Sequence, residues 1–169
     1  MPNPERACEP LLGNADGKWI GFILFAIKQA KEAETFGFKR NICCRNLKTA
    51  LHEYWQHKTV GLHSLSQKAK IPRSKAARNR PLSECVVEHV VPQMVIVNHL
   101  MEMKQLTKPA VIKILKSWYH VRLVTREEHK RLTELKLRYK MTPDWDGLDI
   151  FARYAVAGIK VTQTGQSKT

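Results

Sequence analysis

The sequence predicts an α+β fold, mostly helical, in a single domain with a small sheet. Two patterns indicate it: apolar residues recur at helical spacing in several segments, and two short runs rich in β-branched residues interrupt them. These runs, 85–91 and 120–124, are short enough to build only a small sheet. With 169 residues and 43% hydrophobic side chains, the chain is long enough to bury a real core.

Capping signals bound the predicted helices. Asp16 is a candidate N-cap for the first helix, which Gly37 closes, and Asn46 is a candidate N-cap for the second. Thr125 and Glu128 have the spacing of a capping box, so a helix should begin at Arg126. The predicted helices cover 17–34, 47–57, 74–78, 93–104, 107–118, 126–135 and 147–157, and a short last strand covers 159–162.

The chain is predicted to have an irregular leader at 1–15, one globular domain at 16–162 and a disordered tail at 163–169. The leader lacks the basic and apolar regions of a signal peptide. Residues 19–27 form the most apolar run, but nine residues are too few to span a bilayer, so we expect a buried core helix and no membrane partner. The four cysteines are irregularly spaced, which favours free thiols in a reducing cytoplasm over a structural zinc site.

The most informative feature is a local excess of positive charge. Between residues 35 and 83 there are eleven Lys or Arg and one acid, Glu53, which gives a net +10 out of +14 for the chain. Like charges repel and do not help folding, so such a concentration is typical of proteins with a polyanionic partner. The candidate phosphate-binding residues are Lys39, Arg40, Arg45, Lys48, Lys58, Lys68, Lys70, Arg73, Lys75, Arg78 and Arg80.

Nucleic acid is the favoured partner, and duplex DNA its favoured form. Aromatic residues are sparse after Trp55, so stacking on the bases of a single strand is not indicated, whereas Lys and Arg suit a phosphate backbone. Two alternatives stay open: an acidic protein as the partner, or a solvated connector without a specific role. Asp144, Asp146 and Asp149 could also approach the basic segment and partly neutralise it.

A second constellation lies after the basic segment. Glu88 and His89 end a predicted strand, Val90-Val91-Pro92 follows, and Asn98 and His99 lie on the next helix. This run resembles that of the HNH, or His-Me finger, endonucleases. The resemblance implies that His89 is a general base that deprotonates water, that Glu88 is a metal ligand, and that Asn98 or His99 completes a site for Mg²⁺ or Mn²⁺. The alternative is that His89 is a half-buried strand residue paired with Glu88 or with a backbone carbonyl.

Two functions are therefore predicted as alternatives. The first is a DNA-binding protein with a metal-dependent endonuclease site at His89. The second is a basic binding module, without cofactor or chemistry, for nucleic acid or an acidic protein. The sequence does not indicate an oligomeric state.

Overall fold

The protein is described by a computed structural model that covers residues 17–60 and 68–162. The predicted mostly helical α+β fold with a small sheet is confirmed. The elements are α1 (Gly17–Thr35), α2 (Arg40–Cys43), α3 (Arg45–Ala50), a π-helical segment (Leu51–Val60), a 3-10 turn (Leu82–Glu84), β1 (Cys85–His89), α4 (Gln93–Glu102), α5 (Lys108–Trp118), β2 (Val121–Thr125), α6 (Arg126–Glu134) and α7 (Ala152–Val156).

The chain divides into two compact units. The first unit comprises residues 1–67 and 96–117, and the second comprises residues 68–95 and 118–169. The basic segment, the chain from 35 to 83, therefore contributes to both units. Each unit has buried apolar residues of its own.

The first unit is built on α1, which packs against α2, α3 and the π-helical segment. Ile23, Ile27 and Ala30 lie on one face of α1 at helical spacing and are buried, as the apolar run predicted. Trp19 packs against Trp55, with ring centroids 5.6 Å apart. The helix ends where Gly37 takes a positive φ of 85°, a conformation that glycine adopts without strain.

The second unit is built on an antiparallel pair of strands. β1 and β2 pair in a register that places Glu88 opposite Arg122. On its other edge β2 is bonded to residues 72–74: the Leu123 N–H donates to the Pro72 carbonyl at 3.0 Å, and the Ser74 N–H donates to the Leu123 carbonyl at 2.9 Å. One cluster of buried core residues in this unit comprises Val90, Val124, Leu132, Leu137, Tyr154, Ala157 and Ile159.

The capping box is confirmed, and it shapes the second unit. The Thr125 hydroxyl accepts from the Glu128 N–H at 3.1 Å, and a Glu128 carboxylate oxygen accepts from the Thr125 N–H at 2.9 Å. Both residues are buried. Since this carboxylate is held in place by the start of α6, it can also anchor a neighbouring segment.

Three local predictions were wrong. Residues 74–78 form a turn instead of a helix, because the buried Ser74 forms an isolated antiparallel β-bridge with Val161. The last helix covers only 152–156, because the Asp146 and Asp149 carboxylates accept backbone N–H bonds and hold turns before it. Residues 159–162 contribute only that isolated bridge to Ser74, not a strand.

Some predictions fall on other parts of the chain. The described residues do not include the leader at 1–15, the candidate N-cap Asp16 of the first helix, the tail at 163–169 or the side chain of Lys58. Within the described ranges, no helix combines the length and the apolar character that a bilayer crossing requires.

Candidate nucleic-acid interface

The predicted phosphate-binding residues divide between the two units. The first unit holds Lys39, Arg40, Arg45, Lys48 and Lys58, and the second holds Lys68, Lys70, Arg73, Lys75, Arg78 and Arg80. Each unit therefore presents a candidate surface of its own.

In the first unit, one of these cations is already paired. The Arg40 guanidinium bonds both carboxylate oxygens of Glu34, at 2.5 and 3.2 Å, and reaches Glu102 at 3.2 Å. These carboxylates raise the pKa of Arg40 and leave less of its charge for a ligand. Lys39 and Arg45 are exposed, whereas Lys48 is half-buried.

In the second unit, residues 70–80 form a turn that is anchored from its inner side. We call it the cationic turn. Ile71, Ser74 and Ala77, spaced three apart, are buried. The Ser74 hydroxyl donates to Glu128 at 2.6 Å and accepts from the Ala77 N–H at 3.1 Å. Because a buried carboxylate holds the middle of the turn, its backbone has a defined position.

The outer side of the cationic turn carries the charge. Lys70, Lys75, Arg78 and Arg80 are all exposed. Arg73 is half-buried and closes the turn, since its Nη1 donates to the carbonyls of Ala77 at 3.0 Å and Arg80 at 2.6 Å. Arg73 therefore shapes the surface, whereas the four exposed cations lie on its solvent side. Lys68 is half-buried.

Residues distant in sequence extend this surface. The Lys75 N–H donates to the Lys160 carbonyl at 2.7 Å, so the exposed Lys160 lies beside the turn. Arg78 donates to the Thr162 hydroxyl at 2.7 Å. The exposed Arg126 reaches the Ser83 carbonyl at 2.9 Å. Lys160 and Arg126 are not evident as site residues from the sequence, because nothing in the local pattern shows that tertiary contacts bring them to the turn.

Two acids lie near these cations, and both are exposed. Glu84 pairs with Arg80 at 3.0 Å. The pKa of Glu127 is lowered, first by its own backbone N–H and by the Thr125 hydroxyl, and also by the charges of Arg80 and Arg126. Subtracting these two acids from six cations leaves a local charge of +4; the cations are Lys70, Lys75, Arg78, Arg80, Arg126 and Lys160.

The aspartates that could have neutralised the basic segment serve another purpose. Asp146 and Asp149 each accept a backbone N–H two residues further along the chain, at 2.9 Å. No ion pair among the described residues joins Asp144, Asp146 or Asp149 to a Lys or Arg. The cationic turn therefore keeps its charge.

The predicted metal ligand Glu88 is part of a buried ion-pair network. It lies on β1, where Oε1 accepts from Arg153 at 2.7 Å and Oε2 lies 2.8 Å from Nδ1 of His129. Arg153 is completely buried and also donates to the carbonyls of Val90 at 2.8 Å and Leu137 at 2.7 Å, and to that of His89. Arg153 and His129 are not evident as partners of Glu88 from the sequence, because they lie 65 and 41 residues from it and share no motif with it.

The predicted general base His89 is half-buried at the end of β1. Its Nε2 lies 3.2 Å from the Tyr119 hydroxyl, and the two rings meet edge to face with centroids 5.2 Å apart. Gln93 donates to the same hydroxyl at 3.3 Å. Burial raises the pKa of Tyr119, so this phenol stays protonated at neutral pH.

The other two predicted ligands, Asn98 and His99, lie on the part of α4 that belongs to the first unit, whereas Glu88 and His89 belong to the second. Among the residues that the structure describes, no three His, Cys, Asp or Glu side chains converge as a metal site requires. Both carboxylate oxygens of Glu88 are already occupied.

No match to a protein-family model, a curated protein or a solved structure was found for this chain.

Proposed function

We propose that the protein binds nucleic acid, with duplex DNA as the favoured form, through the cationic turn. The observation that carries this proposal is a charge of +4 on an outer surface whose inner side is anchored to the buried Glu128. The contacting groups would be Lys70, Lys75, Arg78 and Arg80, with Lys160 beside them.

The anchoring supports binding because it lowers the entropy that ordering would otherwise cost. A flexible loop must be immobilised when it meets a ligand, whereas a turn already fixed by Ser74 and Arg73 presents its side chains in place. Lys and Arg at its surface would replace counterions on the phosphates.

The composition of the turn favours backbone contact over base recognition. Residues 70–80 include no aromatic side chain, so the turn offers no platform on which unpaired bases could stack. Phosphate contacts position a protein on a duplex but do not read its sequence. We therefore expect binding with little sequence preference.

The experiment compares two charge-neutralised variants in full-length protein. Lys75→Gln/Arg78→Gln should weaken binding to a labelled 20-base-pair duplex by at least about tenfold in fluorescence anisotropy at 0.1 M salt, because two phosphate contacts are lost. Arg138→Gln/Lys140→Gln removes the same charge from exposed positions outside the turn and should change affinity little. Equal losses in both variants would refute a site at the turn.

The endonuclease hypothesis remains a prediction, and binding without chemistry is the better-supported function. Glu88, as a metal ligand, would first have to leave Arg153 and His129. A nicking assay on supercoiled DNA with Mg²⁺ and with Mn²⁺ decides the matter. Cleavage by the wild type that His89→Ala abolishes, while DNA binding persists, would establish the enzyme. No cleavage with either ion would reject it.

A reducing cytoplasmic location is part of the proposal. Its support is that Cys43, Cys44 and Cys85, the three cysteines in the described residues, are free thiols.

A further inference from the structure

A second exposed turn, outside the basic segment, combines positive charges with an aromatic ring. It follows the end of α6, covers residues 136–140 and reads Lys-Leu-Arg-Tyr-Lys. We call it the tyrosine turn. Tyr139 is 65% exposed, and the three cations of the turn are exposed as well, whereas Leu137 is buried. One short stretch of surface therefore presents an aromatic ring and three positive charges.

The backbone of the tyrosine turn is held from its inner side. Leu137 and Met141, near its two ends, are buried. The Leu137 carbonyl accepts from the guanidinium of Arg153 at 2.7 Å, and Arg153 is completely buried. Because the core fixes this backbone, the turn would lose little entropy on meeting a ligand.

Lys136 has a backbone conformation that ordinarily suits glycine. Its φ of 58° is the only positive value at a non-glycine residue in the described part of the chain. The Lys136 N–H donates to the Thr133 carbonyl at 3.0 Å, and the next N–H donates to the Leu132 carbonyl at 2.8 Å, so the end of α6 holds this conformation. A lysine is less stable here than a glycine, and such local strain is typical of functional positions.

The charge of the tyrosine turn is not neutralised by neighbouring acids. Three cations and no acid give it a local charge of +3. Within the described ranges, no ion pair involves Lys136, Arg138 or Lys140. The preceding acid in the chain, Glu134, lies 3.6 Å from Lys130 instead. The turn therefore attracts anionic ligands.

The ring of Tyr139 indicates which class of anion fits. The Cζ of Arg138 lies over this ring, 5.1 Å from its centroid. The guanidinium covers one face, and with 65% of the residue exposed the other face is open to a flat ligand. Proteins bind single-stranded nucleic acid in this way: a base stacks on an exposed ring, and Lys and Arg bind the phosphates. An acidic peptide would engage the cations and leave the ring unused.

We propose that the tyrosine turn binds single-stranded nucleic acid, with one unpaired base stacked on Tyr139 and the adjoining phosphates held by Lys136 and Lys140. This inference rests on the proposed nucleic-acid binding and adds a second surface to it. The cationic turn is anchored by Glu128 near the start of α6, whereas the tyrosine turn follows the end of that helix. A fully paired duplex keeps its bases stacked inside the helix and has none to place on Tyr139.

The test measures fluorescence anisotropy with the full-length protein and a labelled oligothymidine of about 12 nucleotides, a length typical of single-strand sites. Tyr139→Ala should weaken its binding at least about fivefold, because a stacked base is lost. Tyr139→Phe keeps the ring and should bind as the wild type does. An abasic oligonucleotide of the same length has the same phosphates without bases, and Tyr139→Ala should not weaken its binding.

Further variants separate stacking from charge and from folding. Lys136→Gly should melt no earlier than the wild type, since glycine suits this φ, while the slope of log K against log salt for the oligothymidine becomes shallower by about 0.7. Arg138→Gln/Lys140→Gln should weaken oligothymidine binding although it changes duplex affinity little. Leu148→Ala, at a residue 83% exposed in the same unit, is the matched control and should bind as the wild type does.

Several results would overturn the inference. These are wild-type affinity for the oligothymidine in Tyr139→Ala, an equal loss in Tyr139→Phe, or equal binding of the abasic oligonucleotide by the wild-type protein. Tight binding of an oligoglutamate peptide that Tyr139→Ala weakens would identify an acidic protein as the partner instead. If duplex binding depends on Lys75 and Arg78 but oligothymidine binding does not respond to Tyr139, only this inference fails. If neither nucleic acid binds, the proposed function fails with it.

Discussion

The hydroxyl of Ser74 is predicted to hold the cationic turn in its binding conformation. Ser74 and Glu128 are 0% and 2% exposed, and their oxygens lie 2.6 Å apart. In Ser74→Ala the buried carboxylate loses a donor, which costs about 1.5–3 kcal/mol for a hydrogen bond to a charged group. The Ala77 N–H also loses its acceptor, which adds about 1 kcal/mol or more. We therefore expect a destabilisation of about 3 kcal/mol.

Urea unfolding of Ser74→Ala measures this free energy. Ser83→Ala removes a hydroxyl from an exposed position close in sequence and should stay within about 0.5 kcal/mol of the wild type. A double-mutant cycle with Glu128→Gln should give a coupling energy of about 1 kcal/mol or more, because the two side chains are bonded. The loosened turn should also bind duplex DNA more weakly.

A loss of less than about 0.5 kcal/mol in Ser74→Ala, with no coupling to Glu128, would refute the anchoring argument. If Ser74→Ala is clearly destabilised but binds DNA as the wild type does, the Ser74–Glu128 hydrogen bond stabilises the fold and is not needed for binding.

The remaining predictions concern the buried groups of the second unit. Arg153→Met should destabilise by about 3–5 kcal/mol in urea unfolding, because it removes the guanidinium from the buried Glu88 carboxylate, which then keeps only its contact with His129. Arg153→Met/Glu88→Gln should recover part of that loss, and no recovery would contradict the reasoning. Burial raises the pKa of Tyr119 and of Tyr154, so in the folded state both bind their protons more tightly than in the unfolded state. The stability that they contribute is therefore fully present below the ordinary tyrosine pKa and is lost as pH rises above it. Absorbance at 295 nm should show these two phenols ionising later than the other two tyrosines, and simultaneous ionisation of all four would contradict their burial. His89→Phe should abolish the contact with the Tyr119 hydroxyl without changing DNA affinity, if binding lies in the cationic turn.

Local signals in the sequence predicted most elements of the fold. The apolar spacing of α1, the capping box at Thr125 and the β-branched run of β1 were confirmed because each depends on neighbours within a few residues. The helix predicted at 74–78 was wrong because Ser74 is engaged by Val161 and Glu128, both distant in the chain. The tertiary bonds of Ser74 outweigh the local tendency of residues 74–78 to form a helix.

The candidate site could be predicted only in part. A charge excess is visible in composition, so the exposed Lys75 and Arg78 were found. Composition does not distinguish them from Arg73, which bonds the backbone of its own turn, or from Arg40, which is paired with Glu34. Likewise, Glu88 has the same sequence context whether it holds a metal or Arg153. That difference depends on residues that only the folded chain brings together.

The most direct test of the central claim is the salt dependence of duplex binding. Five phosphate contacts, from Lys70, Lys75, Arg78, Arg80 and Lys160, predict a slope of about −4.5 for log K against log salt concentration. Affinity should then fall several hundredfold, roughly, between 50 and 200 mM salt. In Lys75→Gln/Arg78→Gln the slope should become shallower by about 1.8. An unchanged slope in that variant, with wild-type affinity, would contradict binding at the cationic turn.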